Sequence, residues 1–170
     1  MKTRKKKSKT SKSNEALDIL RESADIVRSF MERTPEQLEA DMAFAFPEAD
    51  PGIRPVGNRI VVQIRRPKKK SDGGIEIPEE TRDAEKWNEM TGKVIAMGPL
   101  CYKNRQEPDK DWPEGPWCQV GDYIRVPKFG GDRIERPVKG EREFALFVTV
   151  EDKNVLSVVT CCPLDLKTLI

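Results

Sequence analysis

Histidine is absent from this 170-residue chain. Its absence removes His-based triads, His–metal sites and the usual general base at neutral pH. Cysteine is scarce. Cys101, Cys118, Cys161 and Cys162 make an adjacent pair and two scattered members, without zinc-ribbon spacing, so no metal site is expected. Cys101 and Cys118 bracket a long insert and could face each other at its base. Buried or incidental thiols are the default in a reducing compartment, and a disulfide there is the alternative. No apolar run approaches the length of a membrane span, and none follows the basic start closely enough to form a secretory signal. A soluble protein that stays in its compartment of synthesis is expected.

What is present is polar. Hydrophobic residues make up 36% of the chain and charged residues 35%. So thin a core suggests disordered ends or burial across subunit contacts. The formal charge of +2 is unevenly spread: residues 1–12 hold seven of the 31 Lys and Arg and no acid. The remainder carries 24 basic against 29 acidic side chains, a net −5. A mildly acidic body therefore follows a basic, low-complexity and disordered tail. Charge confined to a loose end argues against a specific nucleic-acid groove.

The chain then changes character twice. Over 13–32, Leu17, Leu20, Ala24, Val27 and Met31 recur at three- and four-residue steps, predicting a helix capped by Ser13 or Asn14. Thr34-Pro35-Glu36-Gln37 starts a second helix, with Thr34 as cap, Pro35 in the first turn and Gln37 completing a capping box. Leu38, Met42, Ala45 and Phe46 would form its apolar face, and Pro47 to Pro51 would end it. From Ile53 onward, short Val/Ile runs between Gly, Pro, Asn and Asp predict a mainly β fold, a small barrel or sandwich. The strands are expected at 53–65, 92–98, 122–127, 134–137, 143–150 and 155–160. Two long excursions, 66–91 and 99–118, interrupt them, and irregular loops of that length tend to be functional.

The first excursion holds Ser71-Asp72-Gly73-Gly74-Ile75-Glu76-Ile77-Pro78. Neither flank offers an apolar partner for Ile75 and Ile77, whose i, i+2 spacing puts them on one side of an extended segment. Such a segment on a flexible tether suits a hydrophobic groove on another protein. The alternative is a hairpin strand whose isoleucines fold back onto this protein's own core. In the second excursion, Tyr102, Trp112 and Trp117 either line a surface or pin the loop down.

The order of motifs resembles the GroES family of co-chaperonins, the lids of large ring-shaped chaperonins. Ile53-Arg54-Pro55-Val56-Gly57-Asn58-Arg59-Ile60-Val61-Val62 is similar to the family's first strand, and Gly73-Gly74-Ile75-Glu76-Ile77 to its mobile loop. Gly92-Lys93-Val94-Ile95-Ala96-Met97-Gly98-Pro99, Val120-Gly121-Asp122-Tyr123-Ile124-Arg125-Val126 and Phe129-Gly130-Gly131 follow in family order. An acidic stretch into Val155-Leu156-Ser157-Val158-Val159 closes the resemblance, which covers about residues 52–160. It departs at Glu76, where family loops carry a third apolar residue.

The resemblance implies a GroES-like small β-barrel at 49–160, with mobile loop 66–91 and roof loop 99–118. A basic tail (1–12) and a helical extension (13–48) precede it, and a short tail (161–170) follows. It implies a cytoplasmic co-chaperonin, not an enzyme. Copies, usually seven, would cap a chaperonin ring and enclose an unfolded client. The chaperonin-binding residues would be Gly73, Gly74, Ile75, Glu76 and Ile77, and the roof residues Tyr102, Trp112 and Trp117. The nucleotide belongs to the large ring, so no cofactor is expected. The extra segments make a bacteriophage-encoded version plausible, acting in the bacterial host cytoplasm. The roof insert 101–117, lying between strands, is expected to be dispensable for ring assembly. The alternative function is a virion-associated structural or assembly protein using the same barrel. A similar barrel is also the substrate domain of medium-chain alcohol dehydrogenases, but this chain lacks the dinucleotide-binding half and the metal ligands.

Overall fold

A computed structural model describes residues 33–69, 74–104, 106–107, 109–141 and 143–166. The basic tail and the helix expected over 13–32 lie outside the described residues. Contacts divide the chain into two compact units, 1–39 and 40–170. Helix α1 (Pro35–Ala45) begins in the first unit and ends in the second. Its capping box is formed: the Gln37 amide donates to Thr34 Oγ1 at 3.2 Å, and the Thr34 amide to Gln37 Oε1 at 3.1 Å. Of the expected apolar face, Ala45 and Phe46 are buried, Met42 is half-buried and Leu38 is exposed. Burial thus belongs to the helix's last turn.

The second unit is built on one antiparallel sheet. Its strands are β1 (Arg59–Ile64), β2 (Thr91–Met97), β3 (Tyr123–Arg125), β4 (Asp132–Pro137), β5 (Phe144–Glu151) and β6 (Ser157–Val158). Their spatial order is β4-β5-β1-β2-β3-β6. A second helix, α2 (Glu79–Asn88), stands between β1 and β2. Strands were expected from 53 and to 160, and the observed ones are shorter. Pro55, which has no amide hydrogen, and the Gly57-Asn58 turn keep 53–58 out of the ladder. Only Ser157 and Val158 pair at the far end, with Arg125 and Ile124.

Both faces of the central strands are covered. Ile60, Val62 and Ile64 of β1 join Val94, Ile124, Leu146, Val148 and Val150 in the main core. Val61 turns the other way, onto Phe147, Ala145 and Val138. Two-sided burial explains why β1 and β5 read as nearly unbroken apolar runs rather than an alternation. One cluster drawing on β5, β1, β2 and β3 requires the sheet to curl around it. The β1–β2 register slips between Val61, opposite Ala96, and Val62, opposite Val94, leaving Ile95 as a bulge that sharpens the curl. Gly92 sits where any side chain would drive into Val62 and the Gln63 carbonyl, so its motif position answers a close strand approach.

Candidate docking surface and roof

The excursion after β1 has a firm base. The Arg65 amide donates to the Thr91 carbonyl at 2.9 Å, and the Arg65 guanidinium grips Glu89 Oε2 through Nε at 3.1 Å and Nη2 at 2.5 Å. Both side chains are nearly buried, and Glu89 also accepts the Thr91 amide at 2.8 Å. Two charge-assisted bonds converging on one oxygen, with the other oxygen taken by backbone amides, make a stronger anchor than neutral hydrogen bonds. Further out, the Ile77 amide donates to the Lys69 carbonyl at 2.9 Å, drawing the two arms together. Gly73 lies outside the described residues. Gly74 has φ +79°, a conformation that favours glycine.

Beyond that neck the two isoleucines differ. Ile75 is 73% exposed and Glu76 is exposed, whereas Ile77 is half-buried. The Ile77 amide is held by Lys69, and the Ile75 side chain belongs to neither core cluster. The expectation of a wholly irregular excursion is corrected, because 79–88 form α2. Pro78 at its N-cap has φ −55° and ψ 147°, which keeps the preceding segment extended and lets the helix start at once. Glu79 and Glu80 complement the helix dipole in the first turn, and Lys86 does so in the last.

Helix α2 buries no residue. Polar contacts hold it to the barrel. Glu143 meets Lys69 at 2.9 Å, Arg82 at 3.5 Å and Arg66 at 3.7 Å; Glu141 meets Arg66 at 2.8 Å; and Lys86 pairs with Glu135 on β4. Burial pushes the Glu143 carboxyl up, but the hydrogen bond and charge of Lys69, with Arg66 and Arg82, outweigh it and leave the group below its usual range. Arg133 of β4 donates to the Trp87 carbonyl at 3.2 Å. Between helix and sheet edge lies a cleft of about 360 Å³ whose lining includes Arg66, Arg82, Lys86, Trp87 and Phe144. Trp87, 47% exposed, was not singled out in the sequence, although an unneeded tryptophan in a charged stretch was a signal.

The roof aromatics pin their loop. Tyr102 is only 2% exposed and belongs to the main core, with Trp112 packed against it. The ring centroids of Tyr102, Trp112 and Trp117 lie 5.1–5.8 Å apart, tilted or edge-on, as aromatic quadrupoles prefer. The Trp112 indole donates to the Lys103 carbonyl at 3.0 Å and its amide to the Tyr102 carbonyl at 2.9 Å. Tyr102 has φ +55°, unlike any other non-glycine residue described. Buried Asp152 holds it there: Oδ2 accepts the Tyr102 amide at 2.9 Å, while Oδ1 accepts Asn58 Nδ2 at 3.0 Å and the Lys153 amide at 2.8 Å. The expectation that 101–117 is dispensable is therefore corrected, because excision would remove a core residue.

No disulfide links Cys101 to Cys118; both are free thiols. The Cys101 thiol donates to the Arg59 carbonyl at 3.3 Å, and Cys118 Sγ lies 3.1 Å from the Tyr102 hydroxyl. Burial pushes the Cys101 thiol up to about 11 and raises that of Cys118 as well. Neither is a nucleophile at neutral pH. Among the described residues, no cluster of three His, Cys, Asp or Glu is placed to hold a metal ion. None of their helices is long and apolar enough to cross a membrane.

Comparison with known proteins bears on the whole arrangement. Residues 52–159 match the model of the chaperonin 10 Kd subunit family, Cpn10. The chain belongs to that family. It is also similar to the co-chaperonin GroES of Natranaerobius thermophilus, with 31% identity over 107 residues. That alignment covers 63% of this chain and 97% of the relative. The matched stretch contains the sheet, the excursion between β1 and β2 and the insert 99–118, and α1 precedes it. The insert 99–118 and α2 both lie between strands of the matched stretch.

Proposed function

We propose that this chain is a co-chaperonin that caps a GroEL-type chaperonin ring and assists protein folding, docking through Gly73, Gly74, Ile75, Glu76 and Ile77. The observation that carries the docking assignment is Ile75, 73% exposed on an excursion whose base is clamped by Arg65 and Glu89. A large aliphatic displayed on an excursion anchored at its base gains on being buried by a partner and contributes little to its own fold.

The co-chaperonin works as a closed ring of copies, seven being the family's usual number, in the cytoplasm beside its chaperonin. Ile53, Val56, Leu156 and Val158 are exposed in the segments that precede β1 and surround β6, and β6 is a two-residue edge strand. An edge with apolar side chains calls for a partner strand. Weak single loops then bind firmly together, since the first engagement raises the effective concentration of the rest. The test is to image the purified protein mixed with a GroEL-type chaperonin and ATP, beside sedimentation of the protein alone. Capped cylinders and a ring are expected. Uncapped cylinders, or only a 19.4-kDa monomer at micromolar concentration, would overturn the proposal.

A further inference from the structure

Helix α2 has two faces with different chemistry. Arg82 and Lys86, four residues apart, turn inward to Glu143 and Glu135. Glu80, Ala84 and Trp87 follow one another at helical spacing, and all three are exposed. Glu76, Glu79 and Asp83 are exposed alongside. With both cations of the helix spent on the barrel, the rest of its exposed surface is acidic around one half-exposed tryptophan at the mouth of the cleft. The exposed apolar residues before β1 and around β6 are accounted for by the ring contact. Trp87 stands on α2, beside the opposite, β4 edge of the sheet.

Pro78 alone separates Ile77 from the first residue of α2. At 1.5 Å per residue, Trp87 lies about 12 Å along the axis from Glu79. Chain adjacency thus keeps α2 within reach of a surface that grips Ile75 and Ile77. We propose that α2 is a second contact on the chaperonin, with Trp87 filling an apolar pocket rimmed by basic side chains on the surface that takes Ile75 and Ile77. This deepens the docking proposal and rests on it. Charge complementarity selects the occupant. The acidic face disfavours both an anionic membrane and a second copy of itself, and a basic rim steers it in. Tryptophan is the side chain most enriched among residues that dominate interface energetics.

The test uses the full-length protein with a GroEL-type chaperonin and ATP, measuring capping affinity at low and high salt and thermal unfolding of each variant. Trp87→Ala should weaken capping by about tenfold or more, since each loop loses its anchor and the ring multiplies the loss. Its Tm should move by less than about 5 °C, because Trp87 is only half covered and no residue of α2 is fully buried. Glu80→Lys with Asp83→Lys should weaken capping at low salt and much less at high salt. Capping unchanged by Trp87→Ala, while Ile75→Ser with Ile77→Ser abolishes it, would overturn this proposal and leave the docking loop standing. Capping unchanged in both would overturn both. A large fall in Tm for Trp87→Ala would make Trp87 a structural residue and also overturn the proposal.

Discussion

Replacing Ile75 with Ser tests the docking assignment with the least ambiguity. A fully buried isoleucine contributes about 1.5–3 kcal/mol. Ile75 is 73% exposed, so about 1–2 kcal/mol remains to be gained in a partner's groove and well under 1 kcal/mol is engaged at home. Removing the side chain should cost one loop a factor of about 5–30 in affinity. Loops that engage together multiply that factor, so a ring should lose about three orders of magnitude or more. The fold should hardly notice, with Tm moving by less than about 3 °C. Ile77→Ser is the internal comparison: being half-buried, it should lower both capping and Tm. Chaperonin co-sedimentation paired with calorimetry reads both quantities on the same preparations. A sharp fall in Tm for Ile75→Ser would place Ile75 in the core, and undiminished capping would mean that the partner grips elsewhere. Either result would refute the reasoning.

Three other outcomes follow from the geometry. Asp152→Ala strands the buried Tyr102 amide and frees a positive-φ residue, so it should cost about 2–4 kcal/mol and lower Tm by about 5–15 °C in calorimetry; a shift under 2 °C would contradict it. The Glu143 carboxyl lies below its usual range when folded, so its contribution is present above the unfolded value of about 4.3 and is lost as pH falls through the folded value. Hydrogen exchange of α2 amides should therefore show the helix loosening once pH falls below the ordinary carboxylate range, ahead of the sheet, and Glu143→Gln should loosen it at neutral pH. Excising 101–117 should unfold the domain, whereas shortening only 104–110 with a Gly-containing turn should leave it folded by circular dichroism, because Tyr102 and Trp112 stay in place.

The sheet was legible because two-sided burial leaves a strong trace: Ile60–Ile64 and Ala145–Val150 have little choice but a central strand. The capping box at Thr34–Gln37 was legible for a local reason, since both partners lie within four residues. Helix α2 carried a similar signature, Pro78-Glu79-Glu80 followed by Lys86, yet its likeness to a mobile loop drew the whole excursion into one irregular segment. Tyr102 escaped for the opposite reason. Its burial depends on Asp152, fifty residues later, and no local pattern announces that an aromatic in a charged insert folds inward. The unequal exposure of the isoleucines was equally out of reach, because no local pattern tells how far the rest of the fold covers each side chain.

The polar attachment of α2 has a functional logic. Exposed and half-exposed ion pairs are worth about 0–1 kcal/mol each, so the contacts through Glu143 and Glu135 together hold the helix by a few kcal/mol at most. That is comparable with the burial available to one loop on docking. An apolar underside would have fixed the helix more strongly, but at the expense of competing with the partner for the same kind of contact. Ion pairs on the inner side, and Ile75 and Trp87 exposed elsewhere on the segment, separate the two tasks. Lys69, Arg82 and Lys86 keep the segment near its docking position, and Ile75 is left for the partner to bury. The loop thereby avoids much of the entropy cost of ordering a free chain, while its hold stays weak enough to yield.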